Sequence, residues 1–245
     1  MLVYKTPGIY YKERFPSTED ELPTGVPGFL GFIERIPQDN KRKKNYNEPQ
    51  PLTHWFEFKQ NFVLQPNSYL AYAVRGFFQN GGSLCYVVPL EEEIMPEKAL
   101  LQGLEALEPL CTIDLVCAPD IMRSPPPGNW SNDHCAPVLT QSPPPDNLPP
   151  PDRGTVVAMQ SAILEHCSRL GDRFAILDSL PHADEQQVRN QRQELNSING
   201  ALYYPWVRAQ SDLDLKSAFV PSCGHVAGVY ARSDRHTGVH KAPAN

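Results

Sequence analysis

Asp120, Asp178 and Asp184 stand where apolar runs give way to polar sequence. A carboxylate cluster beyond the ends of strands can hold a magnesium ion. Strand-end aspartates also cap helices and turns, so the same residues have a structural reading. Glu91-Glu92-Glu93 follows another apolar run. A phosphate site there would need glycine and free amides at a helix start, and three glutamates repel an anion. Near the C-terminus, Cys223-x-His225 and His236-x-x-x-His240 supply ligand types that suit zinc. The Cys-x-His half is too tight for finger geometry and Gly224 and Gly238 suggest loops, so surface histidines explain the set more simply. Seven histidines would allow a Cys-His or Ser-His pair, but no motif specifies one, because such pairs are made by the fold. The sequence contains no GxGxxG, no GxxxxGK(S/T) and no GxSxG. The expectation is a chain that is not an enzyme and uses no cofactor and no metal, with a metal-binding α/β enzyme domain as the alternative.

The whole-chain balance narrows the partners. A net charge of -6 and a pI near 5.6 argue against a nucleic-acid surface, which needs a clustered basic face. The one basic run, Lys41-Arg42-Lys43-Lys44, lies in a polar stretch and reads as a solvated loop. Six cysteines, no signal peptide and no apolar run of membrane length fit a reducing cytosolic origin. Cys85, Cys111, Cys117 and Cys167 sit in apolar segments and are expected to be buried thiols. At 245 residues with 40% hydrophobic content, the chain can build one large core or two small ones.

The elements that would position these groups are legible in periodicity. Leu70, Ala73, Val74, Phe77 and Phe78 recur along one face of a helix, which Gly81 and Gly82 close. Leu100, Leu101, Leu104 and Leu107 mark a second helix, and Met159, Ile163, Cys167 and Leu170 a third. Val26–Ile36 reads as an apolar strand, and Thr53 as the N-cap of a short aromatic helix. Asp184 is expected to cap a helix carrying Val188, Leu195 and Ile198 that ends at Asn199-Gly200. A turn at Pro221–Gly224 precedes a last short helix. Apolar strands near 85–90, 113–118, 173–178 and 201–207 alternate with helices. This order predicts an α/β fold with a doubly wound, mostly parallel sheet flanked by helices. Two segments fall outside that layer. Leu2–Glu13 is β-prone, broken by Pro7-Gly8, and too isolated to hold itself together, so it must pair with a sheet edge. Ten prolines between Pro125 and Pro151 make 120–152 a surface insertion, partly polyproline II, with a proline-recognition module as its other reading.

Four strings carry a family resemblance: YKTPGIYYKE (4–13), LAYAVRGFFQNGGSLCYVV (70–88), LNSINGALYYPWVRA (195–209) and VPSCGHVAGVYARSDRHTGVHKAPAN (220–245). Together, in this order, they closely resemble the tail sheath proteins of contractile phages and related contractile injection systems. The resemblance implies a structural subunit that polymerises helically around an inner tube. It also implies a switch to a shorter, wider lattice that drives the tube through a target envelope, a rotation of nearly rigid subunits about their interfaces. No cofactor or active site is implied. The implied partners are other sheath subunits, an inner tube protein and baseplate or cap components, with no nucleic acid and no direct membrane insertion. The implied location is the bacterial cytoplasm during assembly and then a phage tail or tail-like particle.

The resemblance also divides the chain. Residues 1–24 correspond to an extended N-terminal β arm and linker that adds to a neighbouring subunit's sheet, with Val3, Tyr4, Ile9 and Tyr10 as arm residues. Head-to-tail contacts of that kind generate helices rather than dimers. Residues 25–245 correspond to the sheath-like core. Family members continue past KAPAN into a C-terminal domain that is absent after Asn245, so a shortened accessory or end component is the alternative expectation. Arg75, Tyr204, Trp206, His225, Arg232 and Lys241 belong to matching motifs without an assigned role.

Overall fold

The computed structural model describes residues 23–36, 46–64, 68–123, 150–210 and 215–243. Val3, Tyr4, Ile9 and Tyr10, the basic run at 41–44 and most of the proline-rich insertion lie outside the described residues.

Among the described residues, the core is a six-stranded sheet built from β1 (Pro27–Gly31), β2 (Gln50–Leu52), β3 (Cys85–Pro89), β4 (Leu115–Cys117), β5 (Phe174–Asp178) and β6 (Gly200–Tyr203). Its order is β2-β3-β1-β4-β5-β6. β2 runs antiparallel to β3 and every other pairing is parallel. The parallel strands are nearly all apolar because helices cover both faces. α2 (Leu70–Gln79) and α6 (Cys223–Thr237) cover one face, while α3 (Pro96–Leu107) and α4 (Arg153–Leu170) cover the other. α1 (Trp55–Asn61) lies beside α2, and α5 (Glu185–Glu194) leads into the edge strand β6. The doubly wound α/β reading therefore holds.

Several boundaries move, each for a local reason. Val26–Ile36 yields β1, which becomes the middle of the sheet, with Gly28 and Gly31 admitting close neighbours. A Cβ at Gly28 would lie 2.8 Å from Leu107 of α3, and one at Gly31 2.8 Å from Leu70 of α2. The expected strand 201–207 is two strands. β6 stops at Tyr203, ahead of Pro205, which has no N–H for a ladder. The chain resumes as β7 (Val207–Ala209), which pairs antiparallel with β8 (Ala218–Val220) in a separate hairpin. His54, not Thr53, is the N-cap of α1; the Thr53 hydroxyl binds Glu57 instead. α5 ends at Glu194, and Ile198 is 92% exposed rather than on a buried face. The last helix starts inside the expected turn, at Cys223, and runs 15 residues. Leu101 is 49% exposed on α3, and Cys111 is exposed whereas Cys85, Cys117 and Cys167 are buried.

α2 is the most enclosed helix. Leu70 through Phe77 are all buried, and Phe77 meets Phe29 of β1 edge-on with ring centroids 5.9 Å apart. A fully buried phenylalanine of this kind contributes about 1.5–3 kcal/mol of transfer free energy. Closing the helix falls to Gly81, at φ +106°, the left-handed side that side chains avoid. Gly82 does not take up a left-handed conformation; the Phe77 ring fills the space its Cβ would need.

Candidate functional site

In a sheet of this winding, ligands bind beyond the carboxyl ends of the strands where the winding reverses, here between β1 and β4. That crevice holds Asp120, which is buried. Its carboxylate accepts the Phe32 N–H at 3.0 Å just past β1, and the Ser68 hydroxyl at 2.9 Å. It also accepts the N–H groups of Tyr69 at 2.6 Å and Leu70 at 3.1 Å, which open α2. An anion at a helix start complements the exposed amides and the positive end of the dipole. The chain's own carboxylate thus does for α2 what a bound phosphate does in nucleotide-binding proteins of this topology. Burial pushes the Asp120 carboxyl up from its usual range, while Arg123 and the hydrogen bonds pull it down.

Asp178 repeats the arrangement at the end of β5. It accepts the Ser222 hydroxyl at 3.1 Å and the Cys223 N–H at 2.9 Å, the first amide of α6. Burial moves its carboxyl up to about 6. Asp184 accepts the Gln187 N–H and caps α5, as the sequence predicts. The three aspartates therefore cap three different helices. Among the described residues, no group of three His, Cys, Asp or Glu side chains could hold a metal ion. The zinc reading of the C-terminus fails on geometry. Cys223 is buried against Asp178 and Cys117, whereas the His225 ring packs on α2, its Nδ1 3.0 Å from Asn80 Nδ2. His236 and His240 are exposed. Beside Asp120 a cleft of about 70 Å³ is lined by Phe32, Glu92, Ile94, Arg123 and Met159 among others. That is room for a few waters. Glu92 of the acidic loop pairs with Arg123.

Pinned by Asp120 and Asp178, α2 and α6 pack through small residues. A Cβ on Gly224 would lie 2.1 Å from the Ala73 carbonyl oxygen, and one on Gly228 would lie 2.5 Å from that of Phe77. The two backbones are thus in direct contact, a spacing that only glycine permits. The second and fourth of the four strings singled out by sequence meet here. Arg75 reaches from α2 to the Gln210 carbonyl at 3.3 Å, just after β7. His225 lies over Gly76, and burial followed by the Arg75 charge lowers its pKa. Trp206 donates Nε1–H to the Ser179 carbonyl at 2.8 Å and meets Tyr69 edge-on at 5.3 Å. The aliphatic part of Arg232 covers Gly81. Tyr204, 52% exposed, and Lys241 lie at the surface. Sequence reasoning missed the Gly224-x-x-x-Gly228 pair, although its helical spacing was there to be read.

No protein-family model and no curated protein matches the chain by sequence. Solved structures do match it. It aligns with a chain of the anti-feeding prophage helical sheath in its contracted state at TM-score 0.61 and 22% identity, over 99% of this chain and 56% of that one. A chain of the contracted anti-feeding prophage baseplate aligns at TM-score 0.63 and 22% identity, over 99% and 58%. The sheath complex of an extracellular contractile injection system, PVC, aligns at TM-score 0.57 and 19% identity, over 100% and 55%. The chain has the fold found in these sheath and baseplate assemblies. It spans little more than half the length of the chains it matches.

Proposed function

We propose that the protein is a structural subunit of a contractile sheath, assembling helically with other sheath subunits around an inner tube and contracting to drive that tube through a target envelope. The observation that carries this reading is the alignment of the whole chain with the contracted sheath chains. The filling of the ligand crevice by Asp120 favours it over an enzyme of the same winding. Residues 1–24 act in this reading as an arm that pairs with a neighbouring copy through Val3, Tyr4, Ile9 and Tyr10. Assembly takes place in the bacterial cytoplasm, and the finished location is a phage tail or tail-like particle with baseplate or cap components at its ends. Among the described residues, no helix is long and apolar enough to cross a membrane.

Matches to baseplate chains favour a second reading, an end component of the same apparatus. Electron microscopy of the protein co-expressed with its cognate tube and sheath partners separates the two. Gold-labelled protein along the whole tube length supports the sheath subunit, and label confined to tube ends supports the end component. Persistent monomers in every combination would overturn both.

A further inference from the structure

β6 is an edge of the sheet, with β5 as its one strand neighbour. Alternate residues of a parallel strand turn their N–H and C=O groups to opposite sides. The Asn199 carbonyl accepts the Ala175 N–H at 2.8 Å and the Tyr203 carbonyl accepts the Ser179 N–H at 3.0 Å, so Asn199, Ala201 and Tyr203 face β5. Gly200 and Leu202 turn theirs outward, where no described residue bonds them. All four residues of β6 are half-buried, whereas those of β1 and β4 are buried throughout. Exposed edges are ordinarily defended by charge or by proline. β2, the opposite edge, has both: Pro51 lies within it, and Arg35, paired with Glu48, bonds to Gln50. β6 has neither. From Leu195 to Val207 the sequence LNSINGALYYPWV holds no charged residue, and Ile198 and Tyr204, on either side of β6, are exposed.

We propose that the outer side of β6 pairs antiparallel with β6 of a second copy of this chain, about a two-fold axis at Leu202. The strand is self-complementary in that register. Leu202 exchanges both hydrogen bonds with the second copy's Leu202, which satisfies the outward groups of each chain. Gly200 falls opposite the second copy's Tyr204 and Ala201 opposite its Tyr203, so each small residue meets an aromatic ring. Aromatic cover of an edge glycine is a favourable cross-strand pair. Gly200 is held to that size by α4, since a Cβ there would lie 2.4 Å from the Leu164 side chain. Charge fits a second copy as well. Copies of a chain with net charge -6 repel one another overall, and a two-fold axis sets each group near it against its own image. An uncharged stretch is where two copies meet without that repulsion. β2 of a second copy is a poorer match, since Pro51 lacks the N–H that a continuing ladder needs. A two-fold contact closes at two copies. It is therefore distinct from the head-to-tail contacts of a helical lattice and does not rest on the sheath reading.

Sedimentation equilibrium and hydrogen exchange on the full-length chain test this pairing. The wild type is expected to sediment as monomer at about 5 µM and as dimer at about 500 µM, since a short strand pair makes a weak contact. Over that range, exchange of the Leu202 amide should slow at least ~5-fold, while the Ala201 amide, which faces β5, keeps its rate. Leu202→Lys and Leu202→Glu each set like charges across the axis and should weaken the dimer at least ~5-fold. An equimolar mixture of the two should recover it, because the axis then joins opposite charges. If either variant does not fold, the wild-type concentration series decides alone. A wild type that stays monomeric at the higher concentration overturns the pairing, as does a dimer whose Leu202 amide exchanges as fast as the monomer's. Folded charge variants that dimerise as well as the wild type, or whose mixture recovers nothing, overturn it too. No step needs a tube, so this pairing and the sheath reading fail separately.

Discussion

Two buried titratable groups pull the pH dependence of this chain in opposite directions. Asp178 has its carboxyl raised from 3.8 to about 6, chiefly by burial. Because the folded state holds that proton more tightly, this group's contribution is complete below the unfolded value and is lost as pH rises through 6. His166 has its pKa lowered from 6.5 to about 4, by burial first and then by the Arg173 and Arg169 charges. Its contribution is complete above 6.5 and is lost as pH falls through 4. Each shift spans a little over two units, or about 3 kcal/mol, so between pH 6.5 and 4 the two nearly cancel. Replacing either one should unmask the other. Relative to wild type, His166→Gln is expected to gain about 2–3 kcal/mol on going from pH 7 to 4.5, and Asp178→Asn to lose a similar amount, read from urea midpoints at the two pH values. Parallel profiles for the variants and the wild type would show that neither group titrates in this window.

The helices were readable where one face is apolar and unreadable where contact is made by the absence of a side chain. α3 and α4 follow the leucine and Met-Ile-Cys spacing because a regular face meets a flat sheet. Asp184 was readable as a cap because capping is local. Asp120 and Asp178 were readable as strand-end carboxylates, but not as caps of α2 and α6. They act across 50 and 45 positions in the chain, and only the winding brings those ends together. The same limit hid the central place of β1, since pairing order is not a property of a single run. Ile198 fits the helical period of α5, yet the helix stops at Glu194 with Leu195 as its C-cap, and Ile198 is exposed. The glycine contact between α2 and α6 yields a direct prediction. Gly224→Ala puts a methyl group onto the α2 backbone, which cannot move as a side chain can, so the helices must separate. The expected cost is ~3 kcal/mol, or a fall in Tm of ~10 °C for a chain of this size. Gly154→Ala is the control, because its Cβ would meet only the Asp152 carboxylate at 3.3 Å near the exposed start of α4. Calorimetry showing equal Tm values for the two variants would mean that the α2–α6 contact relaxes freely.

At the scale of the whole molecule, the motif residues separate into those this chain uses and those it leaves at the surface. Arg75, Trp206 and His225 each hold neighbouring elements together: α2 to the end of β7, the segment after β6 to the end of β5, and α6 to α2. Tyr204 and Lys241 face solvent, and Arg232 is exposed apart from the stem that lies on Gly81. A subunit of a helical lattice needs both kinds, since rigid bodies transmit a rotation only if their interiors hold and their surfaces grip. Two residues of one motif, Tyr204 and Trp206, therefore make a matched test. Trp206→Ala removes a bond to Ser179 and an aromatic contact with Tyr69. It should cost the isolated chain ~2–3 kcal/mol whatever the chain assembles with. Tyr204→Ala removes a side chain 52% exposed and should leave stability within ~0.5 kcal/mol. On the sheath reading it should instead reduce the yield of tubes formed with the cognate partners, counted by electron microscopy at equal protein concentration. Unchanged tube yield with Tyr204→Ala would place this motif wholly in the service of the fold, and the grip between copies would then have to come from Arg232, Lys241 or the N-terminal segment.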